Sequence, residues 1–423
     1  MRILYTLLLY LFTPAVLLRL LWRSRRNPGY RQRIPERFGF FREPMMRPRI
    51  WVHAVSVGET IASAPLVRRL QAEHPDHALL VTSTTPTGSA QVRRLFGDAV
   101  EHVYMPYDLP GSVARFLRRT RPSLALCMET EIWPNLFAAC ARREVPVLIA
   151  NARLSERSAR AYGRVAGLTR ATLARVAVVA ARDATDEQRF KTLGAPNVIV
   201  AGNLKYDLEV PAAVRETGQA LRAALGRNRP VWIAASTHAG EDEIVLEAHC
   251  RLRERLPGVA LILVPRHPER FDEAAGRCAA AGLRMVRRSS GEMPEENTDV
   301  LLGDTLGELM GLYAAADAAF VAGSFVSAGG HNPLEPAALA LPVLTGPQLF
   351  NFEHVYTELF AVGAARKVEG VAELAAALEG LLSDSALRER MGAGGEKVLA
   401  AHRGATARVA QLAAMVLHEA SRA

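Results

Sequence analysis

The stretch Ile50–Thr60, IWVHAVSVGET, contains one complete strand-to-helix connection. The apolar run Ile50–Val55 has the length of a buried strand, and Ser56–Glu59 form a small polar turn after it. A helical pattern follows as far as Leu70. A buried strand, a polar turn and a helix together form the repeating unit of parallel α/β sheets, so this stretch predicts that fold class.

Similar units recur along the chain in two sets. The predicted strands of the first set are Ile50–Val55, Ala78–Ser83, His102–Met105, Leu124–Met128, Val147–Ala150, Val176–Ala180 and Val198–Ala201. Those of the second set are Val231–Ala235, Val259–Val264, Arg284–Val286, Val300–Leu302, Ala319–Ala322 and Pro342–Thr345. Short apolar runs separated by amphipathic helices predict parallel sheets that are covered on both faces.

This pattern divides the chain into four segments. Residues 1–40 are predicted to be a membrane anchor and basic collar, and residues 41–207 an N-terminal α/β domain. The alternation is lost at 208–229, which predicts a linker with one helix. A C-terminal α/β domain with a wholly helical tail is predicted at 230–423. A chain of 423 residues is too long for one ordinary core, which also favours two domains.

The composition is basic, with a formal net charge of +9. This excess favours an anionic partner, either a bilayer surface, a phosphorylated lipid, a nucleotide or a nucleic acid, although it also fits charge spread over solvated helix faces. The four cysteines form no CxxC pair and have no metal-like spacing to histidine. We therefore expect no metal site, and a reduced, cytosolic setting.

The first segment is almost wholly apolar from Ile3 to Trp22. About 20 such residues are enough for a helix to cross a bilayer. A basic stretch follows, and it contains Arg23, Arg25, Arg26, Arg31, Arg33 and Arg37. This stretch predicts that the remaining chain stays in the cytoplasm and is held against anionic headgroups. Two alternatives stay open, a signal peptide cleaved near Ala15 and a helix that lies in the interface, as Pro14 and Arg19 would favour.

In the first domain, polar residues follow the predicted strands, where parallel sheets bind ligands. Glu59, at a helix start with Ser56 and Gly58, is either a general base or a partner of the helix dipole that contributes under about 1 kcal/mol. Glu129 and Glu131 lie two apart on a segment taken as extended, so both carboxylates are expected on one side.

Arg153 and Lys205 also follow predicted strands of this domain. They would bring cations towards these acids, or act only as surface ion-pair partners.

In the second domain, Ser236, Thr237 and His238 follow one strand and Arg266 follows the next. The guanidinium fork of an arginine suits a phosphate or a carboxylate. The densest signal is Gly323–Pro336, GSFVSAGGHNPLEP, a glycine-rich loop that leads into a helix. Such a loop is expected to direct free N–H groups at an anion, and Glu335 would accept hydrogen bonds from ribose hydroxyls.

Four of these motifs together resemble the 3-deoxy-D-manno-octulosonic acid (Kdo) transferases. They are WVHAVSVGE at residues 51–59, ETEIWPN at 129–135, GNLK at 202–205 and GGHNPLEP at 329–336. The resemblance extends over essentially the whole chain. It implies a GT-B fold, in which two Rossmann-like domains face a central cleft, with the acceptor on the N-terminal domain and the donor nucleotide on the C-terminal one.

The resemblance also implies an activity, the inverting transfer of Kdo from CMP-Kdo to a lipid A precursor at the cytoplasmic face of the inner membrane. Glu59 is expected to be the general base, and Glu129 and Lys205 catalytic groups. The predicted substrate-binding residues are Ser56, Gly58, Arg153, Ser236, Thr237, His238, Arg266, Gly330, Asn332 and Glu335. We expect anionic inner-membrane lipid as a further partner, and no nucleic acid or cofactor. We also expect no metal, since no DxD-type motif is present.

Two other functions remain open from the sequence. One is another nucleotide-sugar enzyme of the same architecture, such as an epimerase, which would not need an anchor. The other is a membrane-tethered regulator that binds nucleotide without turnover. Both can be distinguished from a transferase by incubation with a CMP-sugar and a lipid acceptor, because only a transferase would form a glycosylated lipid.

Overall fold

The computed structural model describes residues 1–25, 27–42 and 47–422. Arg26 of the predicted basic collar and residues 43–46 of the predicted N-terminal domain lie outside the described residues. The chain forms two compact units. Unit 1 comprises Met1–Asp207 and Arg403–Ala423, and unit 2 comprises Leu208–His402.

Unit 1 contains a parallel sheet of seven strands among the described residues. The strands are β1 (Arg49–His53), β2 (Ala78–Ser83), β3 (Glu101–Tyr104), β4 (Pro122–Met128), β5 (Val147–Ala152), β6 (Val178–Ala181) and β7 (Val198–Val200). Their order is β3-β2-β1-β4-β5-β6-β7, with every pair parallel. All seven predicted strands are confirmed, with small shifts at their ends.

The helices of unit 1 cover both faces of this sheet. In its first part they are α1 (Arg2–Arg23), α2 (Val57–Glu73), α3 (Pro86–Phe96), α4 (Pro110–Thr120), α5 (Pro134–Ala141), α6 (Glu156–Gly163), α7 (Ala166–Leu173) and α8 (Ala184–Thr192). Short 3₁₀ helices lie at Pro28–Arg31, Ile34–Phe38, Gly97–Ala99 and Leu204–Tyr206. Ile50 and Val52 pack with α2 and α3, whereas Trp51 packs with α4 and α5 on the opposite face. Alternate residues of β1 therefore belong to two separate cores.

Unit 2 repeats the design with a second parallel sheet of seven strands. They are β8 (Val231–Thr237), β9 (Ala260–Pro265), β10 (Met285–Arg287), β11 (Val300–Leu302), β12 (Ala318–Val321), β13 (Val343–Thr345) and β14 (Ala365–Lys367), in the order β10-β11-β9-β8-β12-β13-β14. The helices are α9 (Ala212–Leu225), α10 (Glu241–Arg255), α11 (Phe271–Ala280), α12 (Leu309–Tyr313), α13 (Leu334–Ala337), α14 (Glu353–Ala361), α15 (Val371–Ser383) and α16 (Ser385–His402). Two 3₁₀ helices lie at Pro268–Arg270 and Arg288–Ser290.

The segment predicted as a linker, 208–229, belongs to unit 2. Its helix α9 buries Leu221 and Leu225 in the same core as Val231 and Ile233 of β8. The apolar face of α9 thus packs against the second sheet.

The last helix corrects the predicted domain boundary. The sequence pattern predicts helix α17 (Ala405–Arg422) as part of the C-terminal domain, but the helix packs on unit 1. Val409, Ala410 and Ala413 are fully buried in the core that contains β1 and α2. Asp207 accepts hydrogen bonds from the N–H groups of Gly404, at 2.7 Å, and Thr406, at 2.5 Å, and so anchors the start of this helix.

Candidate functional site

In each sheet the strand order reverses at the first strand of the unit, between β1 and β4 in unit 1 and between β8 and β12 in unit 2. Parallel sheets bind ligands beyond the carboxyl ends of the strands at such a point. The residues predicted from the sequence lie on the loops that follow these strands, so each unit is described in turn.

Glu59 and Ser56 of unit 1 form a reciprocal cap at the start of α2. Ser56 precedes the helix, and its Oγ accepts the Glu59 N–H at 3.3 Å. The Glu59 carboxylate in turn accepts the Ser56 hydroxyl and the Val55 N–H, both at 2.9 Å. This is a variant of the capping box in which the glutamate accepts the Val55 N–H and the Ser56 hydroxyl, so Glu59 has a structural role whatever else it does.

Two other glutamates act on Glu59. Burial raises the pKa of Glu59 above its ordinary value, and the carboxylates of Glu129 and Glu131 raise it further, whereas the bonds from Val55 and Ser56 oppose the shift. Each carboxylate oxygen of Glu59 receives one hydrogen bond in these contacts and has a second lone pair. A half-buried carboxylate with a raised pKa and spare acceptor capacity suits proton transfer.

The segment that carries Glu129 and Glu131 is not extended, which corrects the expectation from the sequence. Strand β4 ends at Met128, and Glu129 adopts a left-handed conformation with φ of 55°. Glu131 accepts the indole N–H of Trp133 at 3.0 Å, whereas a carboxylate oxygen of Glu129 lies 3.8 Å from the Lys205 Nζ. The two carboxylates thus have different partners, although both influence Glu59.

Left-handed backbone recurs at the ends of neighbouring strands. Asn151 in β5 has φ of 53°, and its side-chain oxygen accepts the Leu204 N–H at 3.0 Å. Because this bond lies next to Lys205, it fixes the loop that carries the lysine. Such conformations cost about 1–3 kcal/mol each and occur often at functional sites. Arg153 is exposed, and its carbonyl accepts the Thr130 hydroxyl.

In unit 2 the central group is Glu241, which the sequence analysis did not include among the site residues. Its side chain is fully buried at the start of α10. One carboxylate oxygen accepts the N–H groups of Ser324 and Phe325, both at 3.0 Å. The other accepts those of Gly323 at 2.7 Å and His238 at 3.0 Å. Glu241 therefore joins the loop after β8 to the loop after β12.

This contact corrects the expected anion site in the glycine-rich loop. The N–H groups of Gly323, Ser324 and Phe325 already bind a carboxylate of the protein, and the Gly330 N–H binds the Gly323 carbonyl at 2.8 Å. The helix that follows, α13, has only four residues and begins after Pro333. These N–H groups are therefore not free to bind a phosphate.

A cluster of three histidines and one arginine offers donors instead. The Nε2 atoms of His238 and His331 are 2.8 Å apart and their rings are stacked, while the ring of His267 lies 5.4 Å from that of His238. Burial, together with the nearby charge of Arg266, lowers the pKa of His331 to about 3. Burial also lowers the pKa of His238. Both imidazoles are neutral at pH 7, so Arg266, which is exposed, supplies the positive charge.

The remaining predicted residues of unit 2 surround this cluster. Burial raises the pKa of Glu335, which accepts the Asn332 amide at 3.5 Å. Ser236 has a left-handed φ of 62°, and Thr237 is fully buried. The structure thus brings His238, Arg266 and Glu335 near one another and places Thr237 inside the core.

Comparison with known proteins decides the family. Residues 32–208 match the family model "3-Deoxy-D-manno-octulosonic-acid transferase (kdotransferase)". The chain is 44% identical to 3-deoxy-D-manno-octulosonic acid transferase of Haemophilus influenzae, with 97% of both chains covered. It is 42% identical to the Bordetella pertussis enzyme of the same name, with 96% of both covered. The chain belongs to the Kdo transferase family.

Solved structures of other enzymes share the architecture of this Kdo transferase. UDP-GlcNAc 2-epimerase from Neisseria meningitidis superposes with a TM-score of 0.59 at 14% identity, over 88% of this chain and all of the epimerase. A glycosyltransferase from Rickettsia africae gives 0.55 at 11% identity, over 89% and 99%. At these identities the likeness shows the fold alone, which is GT-B, as the resemblance implied.

Membership of the family makes the chain a glycosyltransferase. Glu59, Glu129 and Lys205 lie within the matched residues 32–208. The three side chains follow β1, β4 and β7 at the carboxyl edge of one sheet. That position is where the fold places ligands.

Proposed function

We propose that this Kdo transferase moves Kdo from CMP-Kdo to a hydroxyl of a lipid A precursor, with inversion at the anomeric carbon. Unit 1 takes the acceptor and unit 2 the donor nucleotide. The observation that carries the proposal is the environment of Glu59, a half-buried carboxylate whose pKa is raised by burial and by two neighbouring glutamates. That environment favours a group that accepts a proton and releases it again.

Glu59 is the general base in this mechanism. It removes the proton of the acceptor hydroxyl as the oxygen attacks the anomeric carbon of Kdo and the bond to the CMP phosphate breaks. When Glu59 takes up this proton it becomes neutral, so its repulsion with the two neighbouring carboxylates is relieved. Glu129 holds the Lys205 ammonium nearby at 3.8 Å, and that cation stabilises the carboxylate of the bound Kdo, with Arg153 as a further cation.

Unit 2 stabilises the CMP leaving group. The phosphate gains negative charge as the glycosidic bond breaks, and Arg266 is positioned to donate to it. The imidazole of His238 adds a neutral donor, so phosphate binding does not depend on histidine protonation. Gly330 and Asn332 lie on the loop that holds the nucleoside, and Glu335 accepts hydrogen bonds from the ribose. Ser236 lies near the end of β8, two residues before His238.

The enzyme acts at the cytoplasmic face of the inner membrane. Helix α1 is the one helix, within the described residues, that is long and apolar enough to cross a bilayer, and none of its residues is buried. It is followed by a basic stretch, which favours attachment to anionic lipid. An anchored enzyme meets its lipid acceptor without extracting it from the bilayer.

The test uses Glu59→Gln, because glutamine keeps the capping box but does not take up a proton. We expect the turnover number with CMP-Kdo and a tetraacylated lipid A precursor to fall about 10²–10⁴-fold, as for loss of a general base. CMP affinity, measured by calorimetry, should be unchanged. The matched control is Glu73→Gln, an exposed glutamate of α2 paired with Arg69, which should leave turnover unchanged.

The pH profile adds a second readout. Because the pKa of Glu59 is raised, the acidic limb of kcat/KM should lie above the ordinary glutamate value of about 4.3. The base must be ionised, so activity falls as the pH decreases through that pKa. Wild-type turnover in Glu59→Gln would exclude this residue as the base, and CMP binding without any Kdo transfer by the wild type would favour a regulator.

A further inference from the structure

Helix α1 has two different faces along its whole length. The side chains that are half-buried recur every three to four residues, the spacing of one helix face; they are Tyr5, Thr6, Leu9, Thr13, Leu17 and Leu20. The exposed residues on the other side are large and apolar, and include Ile3, Leu7, Leu11 and Leu18, each more than 60% exposed. One face is therefore shielded by unit 1, and the other is open to the surroundings.

The amino-terminal end of α1 is hydrogen-bonded to the body of unit 1. The Tyr5 hydroxyl donates to the Asp108 carboxylate at 3.0 Å, and the side chains of Thr6 and Asn135 exchange hydrogen bonds of 2.9 and 3.1 Å. Asp108 also accepts the N–H groups of Asn135 and Leu136, so it caps the start of α5. The contact thus joins α1 to groups that are integral to the fold.

The carboxyl-terminal end of α1 is fixed as well. The Arg23 guanidinium lies 4.3 Å from the ring centre of Tyr30, in the 3₁₀ helix Pro28–Arg31. A side chain at Gly29, in the same turn, would come within 2.9 Å of Pro86 at the start of α3. The turn after α1 therefore lies directly on unit 1, and both ends of the helix are held by the same folded body.

We propose that α1 is an in-plane anchor, whose exposed face inserts into the anionic cytoplasmic leaflet while its other face stays on unit 1, so that the helix does not cross the bilayer. The inference deepens the proposed function, and it rests on the membrane attachment proposed there. It chooses the interfacial helix over the spanning helix, the two alternatives that the sequence left open.

A spanning helix conflicts with these contacts. Tyr5 and Arg23 are separated by roughly 27 Å along the helix axis at 1.5 Å per residue, close to the roughly 30 Å of a bilayer core. With the basic stretch on the cytoplasmic side, Tyr5 would lie at the far side of the membrane. Asp108 and Asn135 would then have to enter the hydrocarbon region, where a carboxylate and an open loop are strongly disfavoured.

The surroundings of α1 fit a headgroup layer. A cavity of about 270 Å³ lies between α1 and α5, and it is lined by the apolar Ile3, Leu7 and Pro110 together with Arg2 and Arg142. Apolar walls beside two guanidinium groups suit an anionic lipid at the level of the interface. Helix α4, which begins at Pro110, also carries several arginines, so the positive charge extends beyond the helix itself.

The test is disulfide crosslinking of the full chain in inverted inner-membrane vesicles of an expressing bacterium. The double variant Thr6→Cys with Asn135→Cys should crosslink in most molecules on mild oxidation, because the two side chains are in contact. The matched control, Leu11→Cys with Asn135→Cys, should not crosslink, because Leu11 is 71% exposed. Crosslinking of the control but not of the test pair would overturn the docked geometry.

Labelling of Arg2→Cys with a membrane-impermeant maleimide gives the orientation independently. In-plane insertion predicts at least tenfold more labelling of Arg2→Cys in inverted vesicles than in right-side-out vesicles. The reference variant Arg227→Cys, on unit 2, should show the same preference. The reverse preference for Arg2→Cys alone would show a spanning helix and overturn the inference, while the proposed attachment would stand. Failure of the wild type to float with vesicles that contain phosphatidylglycerol would overturn both.

Discussion

Glu241→Gln is the substitution for which the structure gives the clearest expectation. Each carboxylate oxygen of Glu241 accepts two backbone N–H groups, those of Ser324 and Phe325 on one side and those of Gly323 and His238 on the other. Glutamine replaces one oxygen by an NH₂ group. Whichever way the amide is turned, two buried N–H groups then face a donor and lose their acceptor.

The cost can be worked out from those two groups. A buried donor without a partner costs about 1–3 kcal/mol, so the variant should lose about 2–6 kcal/mol of the unfolding free energy of unit 2. For a unit of this size, 1 kcal/mol corresponds to about 2–4 °C in Tm, so a loss near the middle of that range lowers Tm by about 8–16 °C. CMP affinity should also fall, because the loops after β8 and β12 lose their shared anchor.

The assay is thermal unfolding followed by calorimetry, with CMP titration at 20 °C as the functional readout. Glu243→Gln is the matched control, since it removes the same charge from the same first turn of α10. Glu243 is exposed and pairs with Arg277 on the surface, so its loss should cost less than about 1 kcal/mol. If Glu241→Gln unfolds within 2 °C of the wild type, the carboxylate does not hold the two loops together and the reasoning fails.

Three further changes test other parts of the structure. Gly58→Ala should fold normally, since its Cβ would meet only the Ser56 Oγ at 4.0 Å. It should nevertheless lower kcat/KM for the lipid acceptor. The control Gly163→Ala, whose Cβ would also lie in open space, should leave kcat/KM unchanged. Deletion of residues 405–423 removes three buried branched side chains, Val409, Leu412 and Val416. At about 1.5–3 kcal/mol each, their loss should destabilise unit 1 by roughly 4.5–9 kcal/mol, seen as loss of soluble protein. Arg266→Ala should weaken CMP binding at least about tenfold by calorimetry, the loss of one charge-assisted hydrogen bond, whereas exposed Arg284→Ala should not.

The strands could be predicted wherever a run of apolar residues is buried on both faces. β4 and β9 are such runs, and both were found from the sequence with nearly correct ends. β14 was missed because it has three residues and two of them, Arg366 and Lys367, are exposed. An edge strand of this kind has no apolar pattern to distinguish it from a loop.

Long-range placement could not be predicted from local pattern. Helix α17 has the same amphipathic character whichever sheet it covers, so its sequence does not reveal that it packs on unit 1. The decisive contact is the cap from Asp207, whose acceptor is almost 200 positions away from the N–H groups it binds. The one sequence feature that pointed to this packing was Asp207, an acidic residue at the predicted end of the N-terminal domain.

The sequence was enough to predict which loops carry the candidate site residues. It was not enough to predict which hydrogen bonds those residues make. The sequence places Glu59, Glu129 and Lys205 after strands of one sheet, and in the structure they follow β1, β4 and β7 of the first sheet. The left-handed conformation of Glu129 and the use of the Gly323 N–H by Glu241 depend on three-dimensional packing. A glycine-rich loop indicates that backbone N–H groups are available, but it does not indicate which anion they bind.

The two glutamates at the switch points occupy equivalent positions in the fold but have different environments. Glu59 follows β1 and Glu241 follows β8, each in the first turn of the next helix, and each accepts a backbone N–H from its own preceding turn. Glu241 is fully buried and binds four N–H groups, which is full use of a carboxylate as a structural anion. Glu59 is only half-buried, binds one N–H and one hydroxyl, and is close enough to Glu129 for repulsion.

The difference between these environments predicts opposite outcomes for the same chemical change. In Glu241→Gln the lost interactions are those of the folded state, so stability falls first and activity follows from it. In Glu59→Gln the capping box persists and only the exchangeable proton is lost, so turnover falls while Tm changes little. The proposed mechanism therefore assigns catalysis to the glutamate whose carboxylate accepts fewer hydrogen bonds in the fold. A large loss of stability in Glu59→Gln would contradict that division.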